Sequence, residues 1–116
     1  MRATLLLSIF LASWMATPVQ AHEWFTGKTS SSGRSCCAGS HCKVISADLA
    51  DKVISPKQGG YLVTLSQAQA FEISTSATAA IRQMIPWKDV QPSETNAYAL
   101  CVIVNEIVCF FAPLGS

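Results

Sequence analysis

Hydrophobic and polar positions follow two different patterns along this chain. From Leu5 to about Met15 apolar residues run on almost without a break. After Lys43 they come in short β-branched bursts separated by Pro, Gly, Ser and Asn. The first pattern has a single positive charge before it, Arg2, and Val19-Gln20-Ala21 after it. Charge, apolar run and small-x-small end, in that order, predict a cleavable export signal over 1–21, so the working chain starts at His22. The run is too short for a membrane anchor, since spanning takes roughly 20 apolar residues. Pro18 breaks the helix where a signal peptidase needs extended chain. No cysteine follows the cleavage point directly, which argues against a lipid anchor.

The second pattern predicts strands. Lys43–Ser46 reads as a first short strand. Lys52–Ser55 and Tyr61–Leu65 flank a Pro/Gly turn and read as a hairpin. Phe71–Thr75 alternates like a half-buried strand. Ala77–Met84 reads as a short helix with Ser76 as its N-cap and Pro86 beyond its end. Ile85–Val90 is expected to be extended, and Pro92–Asn96 to turn. The strongest signal is the last. Tyr98–Val104 and Ile107–Ala112 are β-branched and aromatic and surround Asn105-Glu106. A transmembrane helix over 97–112 is the rival, but it would carry Glu106 near the bilayer centre at a cost of about 2.5–3.5 kcal/mol. A hairpin keeps Asn105 and Glu106 in a solvated turn. A three-residue loop, Val104 to Glu106, would set Cys101 opposite Cys109.

The expected fold class is therefore mainly β: a small disulfide-stapled antiparallel meander or barrel-like domain with at most one short helix. The expected organisation is a signal peptide over 1–21, an N-terminal segment and flexible Ser/Gly-rich loop over 22–35, and a small β-rich domain over 36–116. Removing 21 of the 116 residues leaves 95, enough for one core. Arg2 leaves with the signal, so seven Lys+Arg (8 minus 1) face seven Asp+Glu. A near-neutral surface argues against nucleic acid as a partner, and against a membrane surface once the signal is gone.

All five cysteines, Cys36, Cys37, Cys42, Cys101 and Cys109, follow the cleavage point. Export would place them where thiols pair. Five is odd, so one is left over, and two bridges among five cysteines allow about fifteen connectivities. We expect at least one bridge from the Cys36/Cys37/Cys42 cluster to Cys101 or Cys109, because it would tie the Ser/Gly-rich segment to the most apolar hairpin.

Cys36, Cys37, His41 and Cys42 are also metal-ligand types, but no C-x-x-C occurs and oxidation removes thiolates. His22, if N-terminal, offers an α-amine and an imidazole to copper, with His41 as the only further imidazole. No cofactor is expected; copper or zinc held by His22, His41 and a spare cysteine is the alternative. Ser40-His41-Cys42-Lys43 matches S-x-x-K, but the S-D-N and K-T-G motifs that accompany it are absent. No catalytic residue is singled out. Of the aromatics, Trp24, Phe25 and Trp87 are the candidates for a binding surface, against the alternative of a core role.

The mature chain resembles a group of short exported bacterial proteins of uncharacterised function. The resemblance rests on His22-Glu23-Trp24-Phe25, Cys36-Cys37 with Cys42, Gly60-Tyr61, Ile85-Pro86-Trp87, Pro92-Ser93, Cys101 and Cys109-Phe110-Phe111. It spans most of residues 22–113. His41 stands where many of that group have an acidic residue, and Glu94-Thr95-Asn96 where they tend to have an Asp-Gly turn. The resemblance implies no activity. Taken together, the residues point to an exported, disulfide-stabilised module, structural or partner-binding, with a periplasmic copper- or zinc-binding protein as the alternative.

Overall fold

The computed structural model describes residues 24–25, 27–36 and 41–113. The export signal, His22 and Cys37 lie outside the described residues. Among the described residues, seven strands and two short helices follow in order: β1 (Cys42–Ile45), α1 (Ala47–Val53), β2 (Ile54–Lys57), β3 (Gly60–Leu65), α2 (Gln67–Ile73), β4 (Ile81–Pro86), β5 (Val90–Pro92), β6 (Tyr98–Ile103) and β7 (Glu106–Ala112). The single turn of 3-10 helix at Trp87–Asp89 links β4 to β5.

Local chemistry explains most of these boundaries. Ser46 caps α1 by accepting a hydrogen bond from the Leu49 N–H, and Asp48 and Lys52 sit at the ends that the helix dipole favours. Ser66 and Gln69 form a reciprocal capping box at the start of α2, with bonds of 3.1 and 2.8 Å. Each helix is too short to stand alone and buries a pair of small or branched residues three apart: Ala50 with Val53, and Ala70 with Ile73. Gly60 opens β3 at φ +151°, and a Cβ there would run into the Ile85 carbonyl of β4. Only glycine lets the two strands approach so closely at that point.

The strands form two sheets. One has the order β1-β6-β7-β5, with β5 parallel to β7 and the other pairs antiparallel. The second is the meander β2-β3-β4. Leu100, Val102, Ile107 and Phe110 of the first sheet meet Val63, Leu65, Ile81 and Ile85 of the second across the main core, with α1 and α2 closing its ends. Where β4 of the second sheet passes the open edge of β7, the Gln83 side chain fills in for a missing strand. Its amide accepts from the Ile107 N–H at 2.8 Å and donates to the Ile107 carbonyl at 3.0 Å.

The opposite face of the β1-β6-β7 wall carries a second, smaller core of Phe25, Cys36, Cys42, Ala99, Cys101, Val108, Cys109 and Phe111. The final hairpin is thus apolar on both faces, which is why its sequence also reads as a membrane span. Among the described residues no helix is long and apolar enough to cross a membrane.

The fold is mainly β, as the burst pattern predicts. The helices differ from expectation: two form where at most one is expected, and neither is the expected one. The helix expected over Ala77–Met84 is absent: its second half is β4, and the Ser76 hydroxyl accepts from the Val104 N–H instead of capping a helix. Ile81 and Ile85 are four apart, a spacing that suits one face of a helix and one face of a strand equally. Pairing with β3 decides it. The strand expected over Phe71–Thr75 is absent: Phe71–Ile73 ends α2 and Ser74 is its C-cap, because the capping box outranks a short alternation. The expected strand at Lys52–Ser55 starts only at Ile54, after α1.

Candidate functional site

Three constellations carry chemistry-bearing side chains, and the sulfurs come first. Cys36 is bonded to Cys109, and Cys42 to Cys101, with Cα separations of 5.7 and 3.9 Å. The bulge between Cys101 and Val102 builds this cluster. The hairpin turns at Val104-Asn105, a two-residue loop that pairs Ile103 with Glu106 and Val102 with Ile107. Uninterrupted, that register would face Cys101 with Val108. The irregularity takes up Val108 as an extra residue, so Cys109 faces Cys101. Val108 and Cys109 both join the smaller core, the change of side-chain alternation a bulge brings. The expected three-residue loop is therefore a two-residue turn plus a bulge, with the same pairing as result. Cys101 also faces Cys42 on β1, and so lies between two cysteines across the sheet.

The Sγ atoms of Cys36, Cys101 and Cys109 lie within 4.8 Å of one another. Among the described residues this is the one group of metal-ligand types in close range, and it contains no histidine. Its sulfurs are engaged as disulfides. Of the metal candidates, His22 lies outside the described residues, as does Cys37. His41 is half-buried, and its Nδ1 is 3.1 Å from the Ser74 hydroxyl.

That contact opens the second constellation. The Val104 N–H donates to Ser76 Oγ at 2.8 Å, and Ser76 and Ser74 hydroxyls lie 2.7 Å apart. If each hydroxyl passes its proton onward, His41 Nδ1 accepts at the end of the row and its proton rests on Nε2. The arrangement resembles a serine–histidine dyad in composition only. Ser74 is 1% exposed, and no described carboxylate bonds the imidazole. Its role in this fold is to tie α2, the 74–76 turn and the β6–β7 turn together. Sequence reasoning missed it, because S-T-S after a helix carries no distance information.

The third constellation is aromatic. Phe25, a binding candidate, is 1% exposed and belongs to the smaller core. Trp24 packs edge-on against Phe25 and Phe111 at 5.3 and 5.0 Å, so both rings take part in the packing of the smaller core. Burial beside the disulfides is the physical reason: the segment before Cys36 is held against β7. Trp87, by contrast, is 53% exposed. Its ring leans on Tyr61 at 5.3 Å, and Tyr61 stacks inward on Phe110 at 5.1 Å. The indole N–H donates to the Gln58 carbonyl and the Trp87 backbone N–H to Gly59.

Met84, also exposed, lies against Gly59, and its cross-strand partner on the outer face of β3 is the half-buried Leu62. Leu62 and Met84 are thus an apolar cross-strand pair on the outside of the three-stranded sheet, while Trp87, just past β4, leans on the inward-facing Tyr61. The sequence marks Trp87 but not Leu62 and Met84, since which face of β4 points outward depends on the pairing.

Fold and sites define a small mainly-β domain held by two buried disulfides. Comparison with protein-family models, with curated proteins and with solved structures finds no match.

Proposed function

We propose that the chain is an exported module, of the kind of short exported bacterial protein it resembles, that works outside the cytoplasm by binding a protein partner. The observation that carries partner binding is Trp87. Its ring is 53% exposed, yet it leans on Tyr61 and is fixed in place by the indole N–H bond to the Gln58 carbonyl. Pre-positioned aromatic anchors lose little freedom on binding, and Trp is the residue type most enriched at binding hot spots. Export is supported separately by the two buried disulfides, which form and persist in oxidising compartments.

The test has two parts. The soluble extracytoplasmic fraction should contain a chain beginning at His22, whose mass rises on reduction by the four hydrogens of two disulfides; full-length chain held in the inner membrane would refute export. A photo-crosslinking residue at Trp87 should capture one defined extracytoplasmic protein, and the same residue at exposed Lys57 should not. Equal labelling from both positions would refute Trp87 as the binding anchor.

A further inference from the structure

The four paired cysteines occupy one compact site, and their pairing is not the only one the site allows. Cys101 faces Cys42 on one side and Cys109 on the other. Its sulfur, already bonded to Cys42, lies within 4.8 Å of both sulfurs of the neighbouring disulfide. Cys42 Sγ in turn lies 3.2 Å from the Cys36 carbonyl, so Cys36 and Cys42 are neighbours as well. The sulfurs of Cys36, Cys101 and Cys109 are therefore within reach of one another, and Cys42, bonded to Cys101, lies against the Cys36 backbone.

We propose that Cys36, Cys42, Cys101 and Cys109 form a thiol–disulfide exchange site that interconverts two pairings, with a small thiol as co-reactant. The observed pairing is Cys36–Cys109 with Cys42–Cys101. The second is Cys101–Cys109 with Cys36–Cys42. Cys42 is the most exposed of the four, at 6%, and is where an incoming thiolate attacks. A mixed disulfide forms at Cys42 and the Cys101 thiolate leaves. From its central position the Cys101 thiolate attacks Cys109 Sγ, forming Cys101–Cys109 and expelling the Cys36 thiolate. The Cys36 thiolate attacks Cys42 Sγ, forming Cys36–Cys42 and returning the small thiolate. Three bonds form and three break, no net oxidation or reduction occurs, and the co-reactant is regenerated.

The two pairings differ in what they hold. In the observed one, both bridges fasten earlier segments to the final hairpin, closing sequence separations of 73 and 59 residues. In the second, the hairpin is bridged to itself and the Cys36–Cys42 segment to itself, so neither β1 nor Cys36 is covalently held to the hairpin. The third conceivable set needs Cys42–Cys109, and β6 stands between β1 and β7. Strands two places apart lie roughly 10 Å from each other, beyond disulfide reach. The site thus exchanges between two pairings, not three.

The test starts from a Cys37→Ser background, which removes the fifth thiol. In Cys36→Ser, three cysteines remain in the row across β1, β6 and β7. Acid-quenched, non-reducing peptide mapping should find Cys42–Cys101 and Cys101–Cys109 within tenfold of each other in abundance. Cys42–Cys101 alone, with Cys109 the only alkylated thiol, would overturn the proposal. Because Cys36→Ser can lose its fold, the four-cysteine protein is also incubated with catalytic glutathione without denaturant. Cys101–Cys109 and Cys36–Cys42 should appear together, at a rate proportional to thiolate, and Cys42–Cys109 should not. Absence of the first two, or appearance of Cys42–Cys109 at comparable rate, would overturn it.

Discussion

Val104 shows what a single residue can be made to carry. It is β-branched and yet sits at φ +59°, at the first central position of the β6–β7 turn. Left-handed backbone costs an L-residue about 1–2 kcal/mol, and tight hairpin turns of this kind prefer glycine at that place. Its side chain is exposed, so little packing offsets the strain. Val104→Gly should raise stability by about 1 kcal/mol after glycine's own entropic cost, measured by thermal or denaturant unfolding.

Asp89 is the second case. The Ser31 hydroxyl and then Lys88 bond its carboxylate and hold its pKa below the ordinary value of 3.8. A depressed carboxylate pKa stabilises the fold above the unfolded-state value, and that contribution is lost as pH falls through the folded one. The contact is therefore at full strength at neutral pH and weakens below about pH 4. Ser31→Ala should move the Asp89 titration upward in a carboxyl NMR experiment. An unchanged titration would mean that Ser31 does not hold the carboxylate.

At the scale of elements, short-range chemistry competes with pairing. α2 exists because Ser66 and Gln69 satisfy each other's backbone partners, a signal written within four residues. Ser66→Ala should cost about 1 kcal/mol and loosen α2 before the rest of the domain, visible as faster amide exchange at Ala70 and Ile73. β4 is the opposite case. Its apolar spacing fits both periods, and six residues of pairing with β3 make it a strand. The hairpins β2–β3 and β6–β7 were legible because turn residues separate their β-branched runs. The bulge in β7 was not, since nothing in Ile107-Val108-Cys109 announces that two successive residues share a face.

For the whole molecule, the two disulfides join the N-terminal segment and β1 to the final hairpin, and the smaller core forms around them. Closing loops of this length contributes roughly 4 kcal/mol per bridge on chain-entropy grounds, against the 5–15 kcal/mol typical of a domain. Cys109→Ser should accordingly lower the unfolding free energy by several kcal/mol. Cys37→Ser, which removes neither of these two bridges, should change it by less than about 0.5 kcal/mol. Denaturant titration of the two variants side by side checks both; equal losses would show that the Cys36–Cys109 bridge is not what stabilises the fold.

Some properties could be read from residues close together in the chain. The β-branched bursts and their Pro, Gly and Asn punctuation determined the mainly-β class and two hairpins. The Ser46 and Ser66 caps are equally local, yet the one cap expected from the sequence is Ser76. The odd cysteine count and the placement of the cysteines bounded the covalent frame. Only the tertiary structure decided which sulfurs pair, because that depends on a bulge and on β6 lying between β1 and β7. The same contacts decided that Trp24 and Phe25 pack in the smaller core while Trp87 stays exposed past the end of β4. The physical reason is common to all of these. Periodicity and capping act over a few residues, whereas facing, pairing and burial are set by segments far apart in sequence, whose positions no local pattern contains.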